Sequence, residues 1–178
     1  MDYYEKTVSR KPIYEGNIID VEVLTVELPN GRTAPRDVVR HSGAAVIVPV
    51  TDKGEVVLVK QYRKPIEQVS LEVPAGKLEK GEDPKICAAR ELKEETGYTA
   101  GKLEKILTLH PASAYTDEVL HVYLASDLTK GEANPDEDEF ITANVYPMEE
   151  ALNMIKDGLI TDAKTVAGVL FAARLFNK

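Results

Sequence analysis

The chain has 178 residues, 43% hydrophobic and 29% charged, enough to bury one full core, and no shift in composition marks a second. Thirty acidic against 22 basic side chains give a net charge of −8, which argues against nonspecific nucleic-acid binding but leaves room for a small anionic substrate in a local cation-lined pocket. No apolar run approaches the ~20 residues of a membrane span; with a single cysteine, Cys87, and no N-terminal stretch resembling a signal peptide, a reducing cytoplasm is expected.

Residues 18–41 read as an antiparallel hairpin: 18–26 are β-branched and partly alternating, and Pro29-Asn30-Gly31 is a turn signal. Residues 44–50 form a nearly all-apolar central strand, which Thr51-Asp52-Lys53-Gly54 turns into a strand at 55–61. A strand at 69–73 leads into a helix that Asp83 and Pro84 start and Gly97 stops. Strands at 103–109 and 119–126 follow, separated by a polar loop, and a further strand is expected at 141–146. Pro147 opens a short helix that Gly158 closes, and Thr161 caps a final helix whose stripe is Val166, Val169, Leu170, Ala173 and Phe176. Strands around one acidic helix, with helices at the C-terminal end, make a mixed α/β sandwich.

The acidic helix carries the chemistry. At ~100° per residue Glu91, Glu94 and Glu95 share about a third of its circumference, while Ala88, Ala89 and Leu92 offer a small-residue packing face. Like charges at this spacing destabilise a helix by roughly 0.2–0.5 kcal/mol per pair, so three call for a cation. Oxygen ligands with no His or Cys in register favour Mg²⁺ or Mn²⁺ over Zn²⁺. A solvated acidic face is the competing reading of this helix alone. Glu72 lies in a half-buried strand, where an unpaired carboxylate is costly, so a partner is expected there, either metal-bound water or an arginine. Cys87 reads as a packing residue, and His41, His110 and His121 lack metal-ligand spacing.

Gly76, five residues, Glu82, seven residues, Arg90-Glu91-Leu92, Glu94-Glu95 and Gly97 resemble the Nudix box at every fixed position; Tyr98 stands where an aliphatic residue is commoner. Gln61-Tyr62-Arg63, the run Leu71-Glu72-Val73-Pro74-Ala75-Gly76, and the loop with Pro111, Ser113, Asp117 and Glu118 are similar in order and spacing to those of ADP-ribose pyrophosphatases. The resemblance implies a Nudix-type mixed-sheet α/β/α sandwich with an N-terminal antiparallel hairpin: residues 1–42 supply strands to a dimer interface, and residues 43–178 form the Nudix hydrolase domain. It implies hydrolysis of ADP-ribose to AMP and ribose 5-phosphate with Mg²⁺, or Mn²⁺ in its place. Glu91, Glu95 and the backbone carbonyl of Ala75 hold metal, with Glu94 sharing or orienting these ligands and Arg90 bracing a carboxylate.

Carried over in the same way, Arg36 and Arg63 grip the substrate phosphates, with Asp37 where the family more often has Glu, and Glu72, Pro111, Ser113, Asp117 and Glu118 face the substrate. Either arginine could instead be an ordinary surface cation. Glu137 or Glu139, in the acidic run before Ile141, activates the water. Glu82 reads as a structural or outer metal residue. The family further implies a homodimer with exchanged N-terminal strands, in which Arg36 reaches the partner's site. Another nucleoside diphosphate sugar such as GDP-mannose keeps the same chemistry, and a catalytically silent ADP-ribose sensor is the third possibility.

Overall fold

The computed structural model describes residues 3–134 and 140–176. Their contacts divide into two compact units, one of Met1–Gly43 with His110–Val119 and one of Ala44–Leu109 with Leu120–Lys178.

In the first unit β1 (Lys6–Glu15), β2 (Asp20–Glu27) and β3 (Thr33–Arg40) form an antiparallel sheet in the order β1-β2-β3. The expected hairpin is β2–β3. Gly31 takes φ 79°, a left-handed conformation that costs glycine little, while Leu28 N–H donates to the Arg32 carbonyl at 2.7 Å and closes the turn. The strand β1 is an addition to that expectation. Its sequence lacks an apolar period and holds Pro12, its register shifts between Thr7 and Ser9 and between Pro12 and Tyr14, and all its residues are exposed. It is a strand because its backbone finds β2, not because a hydrophobic face demands it. The segment His110–Val119 runs beside β3: Val39 N–H donates to the Tyr115 carbonyl at 2.7 Å and Asp117 N–H to the Val39 carbonyl at 3.2 Å.

The second unit is built on β4 (Ala44–Pro49). It pairs in parallel with β9 (Leu120–Lys130) and antiparallel with β7 (Ala75–Lys77), and β8 (Tyr98–Leu109) completes a mixed sheet ordered β7-β4-β9-β8. A second sheet is ordered β10-β5-β6, from β5 (Glu55–Arg63), β6 (Gln68–Glu72) and β10 (Thr142–Pro147), with a short 3-10 turn at Lys64–Ile66. The helices are α1 (Pro84–Thr96), α2 (Met148–Lys156) and α3 (Ala163–Phe176).

Because side chains alternate along a strand, the all-apolar β4 serves two cores at once. Ala45 and Ile47 pack with Cys87, Ala88 and Leu92 of α1, whereas Val46 and Val48 join Val56, Leu58, Val122, Val169 and Ala172. Gly168 lets α3 come close, since a Cβ there would lie 2.8 Å from the Val48 side chain. The unit is thus an α/β/α arrangement, as expected.

Four local expectations are corrected. Strands β8 and β9 run five residues earlier and four residues later than the spans 103–109 and 119–126, because their outer ends pair with each other and Tyr98, Ala100 and Leu128 pack against the core beside α1. Ala89 is exposed, and Cys87 takes its place on the packing face of α1. On α3 Leu170 is exposed and Ala172 buried, so the stripe is shifted; the side chain of Phe176 lies outside the described residues. The cap of α3 is Asp162 rather than Thr161: its Oδ2 accepts from Thr165 N–H at 2.9 Å.

The start of α1 is capped as the sequence predicts, with Asp83 Oδ1 accepting from the N–H groups of Lys85 and Ile86. Replacing that acceptor in Asp83→Ala should destabilise the fold by about 1 kcal/mol. In urea unfolding the midpoint should fall while the slope stays unchanged.

Candidate active site

The second unit gathers its charged side chains where β6, β7 and the two helices α1 and α3 begin or end. On α1 the expected acidic edge is not a solvated face. Glu91 and Glu95 are buried at 9% and 5% exposure, one helical turn apart, while Glu94 is half-buried. The small residues Cys87 and Ala88 allow the helix to approach the sheet, and Gly76 allows the carboxylate to reach the backbone. A Cβ on Gly76 would lie 1.8 Å from Glu91 Oε1, so any larger residue would occupy the place of the carboxylate.

Arg90 organises this group. Its Nη1 donates to Glu91 Oε1 at 2.7 Å and to Glu94 Oε2 at 2.9 Å, while Nε and Nη2 donate to the two oxygens of Glu82 at 3.2 and 3.3 Å. Glu82 Oε2 also accepts from Glu79 N–H. The bonds to Glu82 and the charge of Glu91 raise the pKa of the guanidinium further above its usual value, and the same contact with Arg90 lowers that of Glu82. Arg90 thus donates to three carboxylates, those of Glu82, Glu91 and Glu94. Cys87 is buried beneath it; burial, with the charges of Glu82 and Glu91, pushes its thiol up to about 12, so it packs and does not act as a nucleophile.

A second group surrounds Glu72, whose side chain is only 4% exposed. Arg63 Nε and Nη2 donate to its two oxygens at 2.9 and 2.8 Å, the planar two-point geometry that suits guanidinium and carboxylate. Lys164 Nζ adds a third bond to Oε2 at 2.5 Å. Burial alone would raise the pKa of Glu72, but the bonds from Arg63 and the charge of Lys164 outweigh it and bring the carboxyl down to about 2. Arg63 also feels the charge of Glu95, which ties the two groups together electrostatically. The partner predicted for Glu72 is thus an arginine, with a lysine beside it. The sequence reading missed Lys164, although one signal was there: a cation in the first turn of a helix opposes the macrodipole and calls for a local reason.

Among the described residues no three His, Cys, Asp or Glu side chains converge into a ready-made metal cluster. The donor set nonetheless fits a hard divalent cation, because the carboxylates of Glu91 and Glu95 lie on one helix face and Glu91 bears on Gly76, next in the chain to the carbonyl of Ala75.

In the first unit Arg36 donates from Nε and Nη2 to the two oxygens of Glu5 at 2.9 and 2.6 Å. Asp117 accepts from Arg40 Nη1 at 2.9 Å and from His41 N–H at 3.0 Å, so its carboxylate ties the loop to β3. Pro111 and Ser113 are exposed on that loop. Glu118 lies 3.7 Å from His41 Nδ1, which accepts from Gly43 N–H at 2.9 Å. Glu137 and Glu139 lie outside the described residues.

A model of the NUDIX domain matches residues 39–168, and one of the nucleoside diphosphate sugar hydrolase N-terminal domain matches residues 5–39. The chain belongs to the Nudix family. It is a Nudix hydrolase, and hydrolases of this family generally depend on a divalent cation. The chain is 45% identical over 169 residues to the ADP-ribose pyrophosphatase of Bacillus subtilis (strain 168), covering 94% of this chain and 91% of that one. It is 44% identical to the methanol dehydrogenase activator of Bacillus methanolicus, with 95% and 92% covered. A crystal structure of an ADP compounds hydrolase superposes with a TM-score of 0.87 over 99% of this chain and 97% of that one; at 22% identity it shows the shared fold.

Gly76→Ala tests the close approach of backbone and Nudix carboxylate. The obstructing group is a flexible side chain, so the fold should survive while Glu91 is displaced. Thermal unfolding is expected to shift little, and the divalent-cation concentration for half-maximal hydrolysis should rise at least tenfold. An unchanged cation requirement would separate Glu91 from the cation.

Proposed function

We propose that the chain hydrolyses the diphosphate bond of ADP-ribose to AMP and ribose 5-phosphate, with Mg²⁺ as its cation and Mn²⁺ as a substitute. The observation that carries this reading is the pair of buried carboxylates, Glu91 and Glu95, one turn apart beneath Gly76, in a chain whose likeness to an ADP-ribose pyrophosphatase extends over nearly its whole length. Glu91, Glu95 and the Ala75 carbonyl hold the cation, and Glu94 orients them. When bound, the cation supplies neutralisation of phosphate charge and a more acidic water. Arg90 keeps the acidic residues apart and aimed, while Arg63 meets the diphosphate. Glu137 or Glu139 takes the proton of the attacking water.

The proposal includes a homodimer. The strand β1 is exposed along all ten residues and carries the exposed apolar side chains Val8, Ile13 and Tyr14, with Tyr3 and Tyr4 just before it. Bare edges of this kind are normally covered, and a second copy exchanging the same strands would cover them reciprocally. Arg36 then serves the partner's site.

A panel of nucleoside diphosphate sugars with Mg²⁺ tests the substrate: ADP-ribose should give the highest kcat/KM, and a preference for GDP-mannose would move the reading to its neighbour. Glu95→Gln should lower kcat by about a hundredfold or more, about 2.7 kcal/mol of transition-state stabilisation. The likeness to a protein named as an enzyme activator favours one further reading, in which hydrolysis serves to regulate another enzyme. There, Glu95→Gln should abolish regulation together with turnover, whereas a silent sensor would regulate unimpaired. The dimer has its own test. Mixing Arg36→Ala with Glu95→Gln chains should restore about one working site per mixed dimer, while full activity in a species with the mass of one chain would refute the shared site.

A further inference from the structure

The first turn of α3 makes more contacts with the end of β6 than packing a helix on a sheet requires. Asp162 Oδ2 accepts from Thr165 N–H at 2.9 Å, from Thr165 Oγ1–H at 2.6 Å and from Lys164 Nζ at 3.0 Å. Thr165 Oγ1, fully buried, accepts in turn from Val73 N–H at 2.9 Å, and Lys164 donates to Glu72. Two adjacent residues of one strand end, Glu72 by its side chain and Val73 by its backbone, are therefore held by one helical turn. Lys164 is itself largely withdrawn from water, with a side chain 13% exposed. Burying an ammonium is costly unless it is paired, and here two cations, Arg63 and Lys164, stand against two carboxylates, Glu72 and Asp162. Arg63, Glu72, Asp162 and Lys164 line a cavity of about 400 Å³ with Ser70 and Thr161. On the Arg63 side, Nε and Nη2 are committed to Glu72, and Nη1 makes no hydrogen bond among the described residues.

We infer that Lys164 is a positioning residue: through Glu72 it fixes the Arg63 guanidinium, so that one nitrogen is left for a phosphate oxygen of the substrate. Glu72 has two oxygens and three donors. With Lys164 present the carboxylate is locked from both sides, and Arg63 has a single way to satisfy its fork. Without Lys164 the carboxylate gains freedom to rotate, and Arg63 turns with it. The inference rests on the hydrolase reading above for the identity of the phosphate, but not for the clamp.

The experiment uses the full chain with ADP-ribose and Mg²⁺, and reads two quantities in Lys164→Met and Lys164→Arg. One is the separation of KM from kcat; the other is the Nε–H signal of Arg63 in an NMR spectrum of the substrate-free protein. In Lys164→Met, KM should rise about tenfold with kcat within threefold, the pattern of lost uniform binding, and the Arg63 signal should broaden or exchange faster. Lys164→Arg should return KM to within threefold of wild type. An unchanged KM and Arg63 signal in folded Lys164→Met would overturn the inference, as would a loss confined to kcat. Where Lys164→Met does not fold, Glu72→Gln is compared with Glu72→Gln/Lys164→Met, in which the paired charges of Glu72 and Lys164 are removed together. A residue acting through Glu72 should add nothing to KM there, and a further rise above threefold would refute the route through Glu72. Should the wild type fail to hydrolyse ADP-ribose, the hydrolase reading falls and the Arg63 signal alone decides on the clamp.

Discussion

Two carboxylates kept out of water on one face of α1 set the terms for their surroundings. Glu91 and Glu95 sit on the side of the helix that also packs, beside Cys87, Ala88 and Leu92. Such burial costs several kcal/mol per ion unless opposite charge or hydrogen bonds compensate it. The small residues bring the helix close, the missing side chain of Gly76 makes room, and Arg90 supplies positive charge from the flank. In the function proposed above, a divalent cation also binds there. The sequence of small, acidic and basic positions along α1 is thus one electrostatic arrangement.

The pairing of an acid with its own cation recurs in unrelated parts of the chain, at the buried Glu72 and at the more exposed Glu5 and Asp117. Glu72 has Arg63 and Lys164, and in the first unit Asp117 has Arg40 while Glu5 has Arg36. This explains how a chain of net charge −8 can receive an anionic substrate. In the second unit Arg63, Arg90 and Lys164 stand beside the acids withdrawn from solvent.

What was legible in the sequence followed from strong local signals. Asp83-Pro84 and Gly97 mark the ends of α1 because capping is chemistry within one turn. The all-apolar β4 announced a strand covered on both faces, and Gly31 a hairpin. The box residues were legible as a pattern and their burial was not, since the depth of Glu91 depends on Gly76, fifteen positions away. The strand β1 has no apolar period and could not be read. Lys164 and Thr165 meet Glu72 and Val73 across 92 residues, a separation at which periodicity says nothing.

The turn that begins α3 also bears on where this protein can be cut. The NUDIX domain match ends at residue 168, inside that helix, and a terminal helix is commonly regarded as trim that can be shortened. Here its opening residues hold the strand that leads into the box. A chain clipped at residue 161 would keep every Nudix-box residue and lose the two side chains that hold Glu72 and Val73 in place. A cut in that short link, Gly158 to Asp162, would separate Lys164 and Thr165 from Glu72 and Val73 while leaving the Nudix box intact.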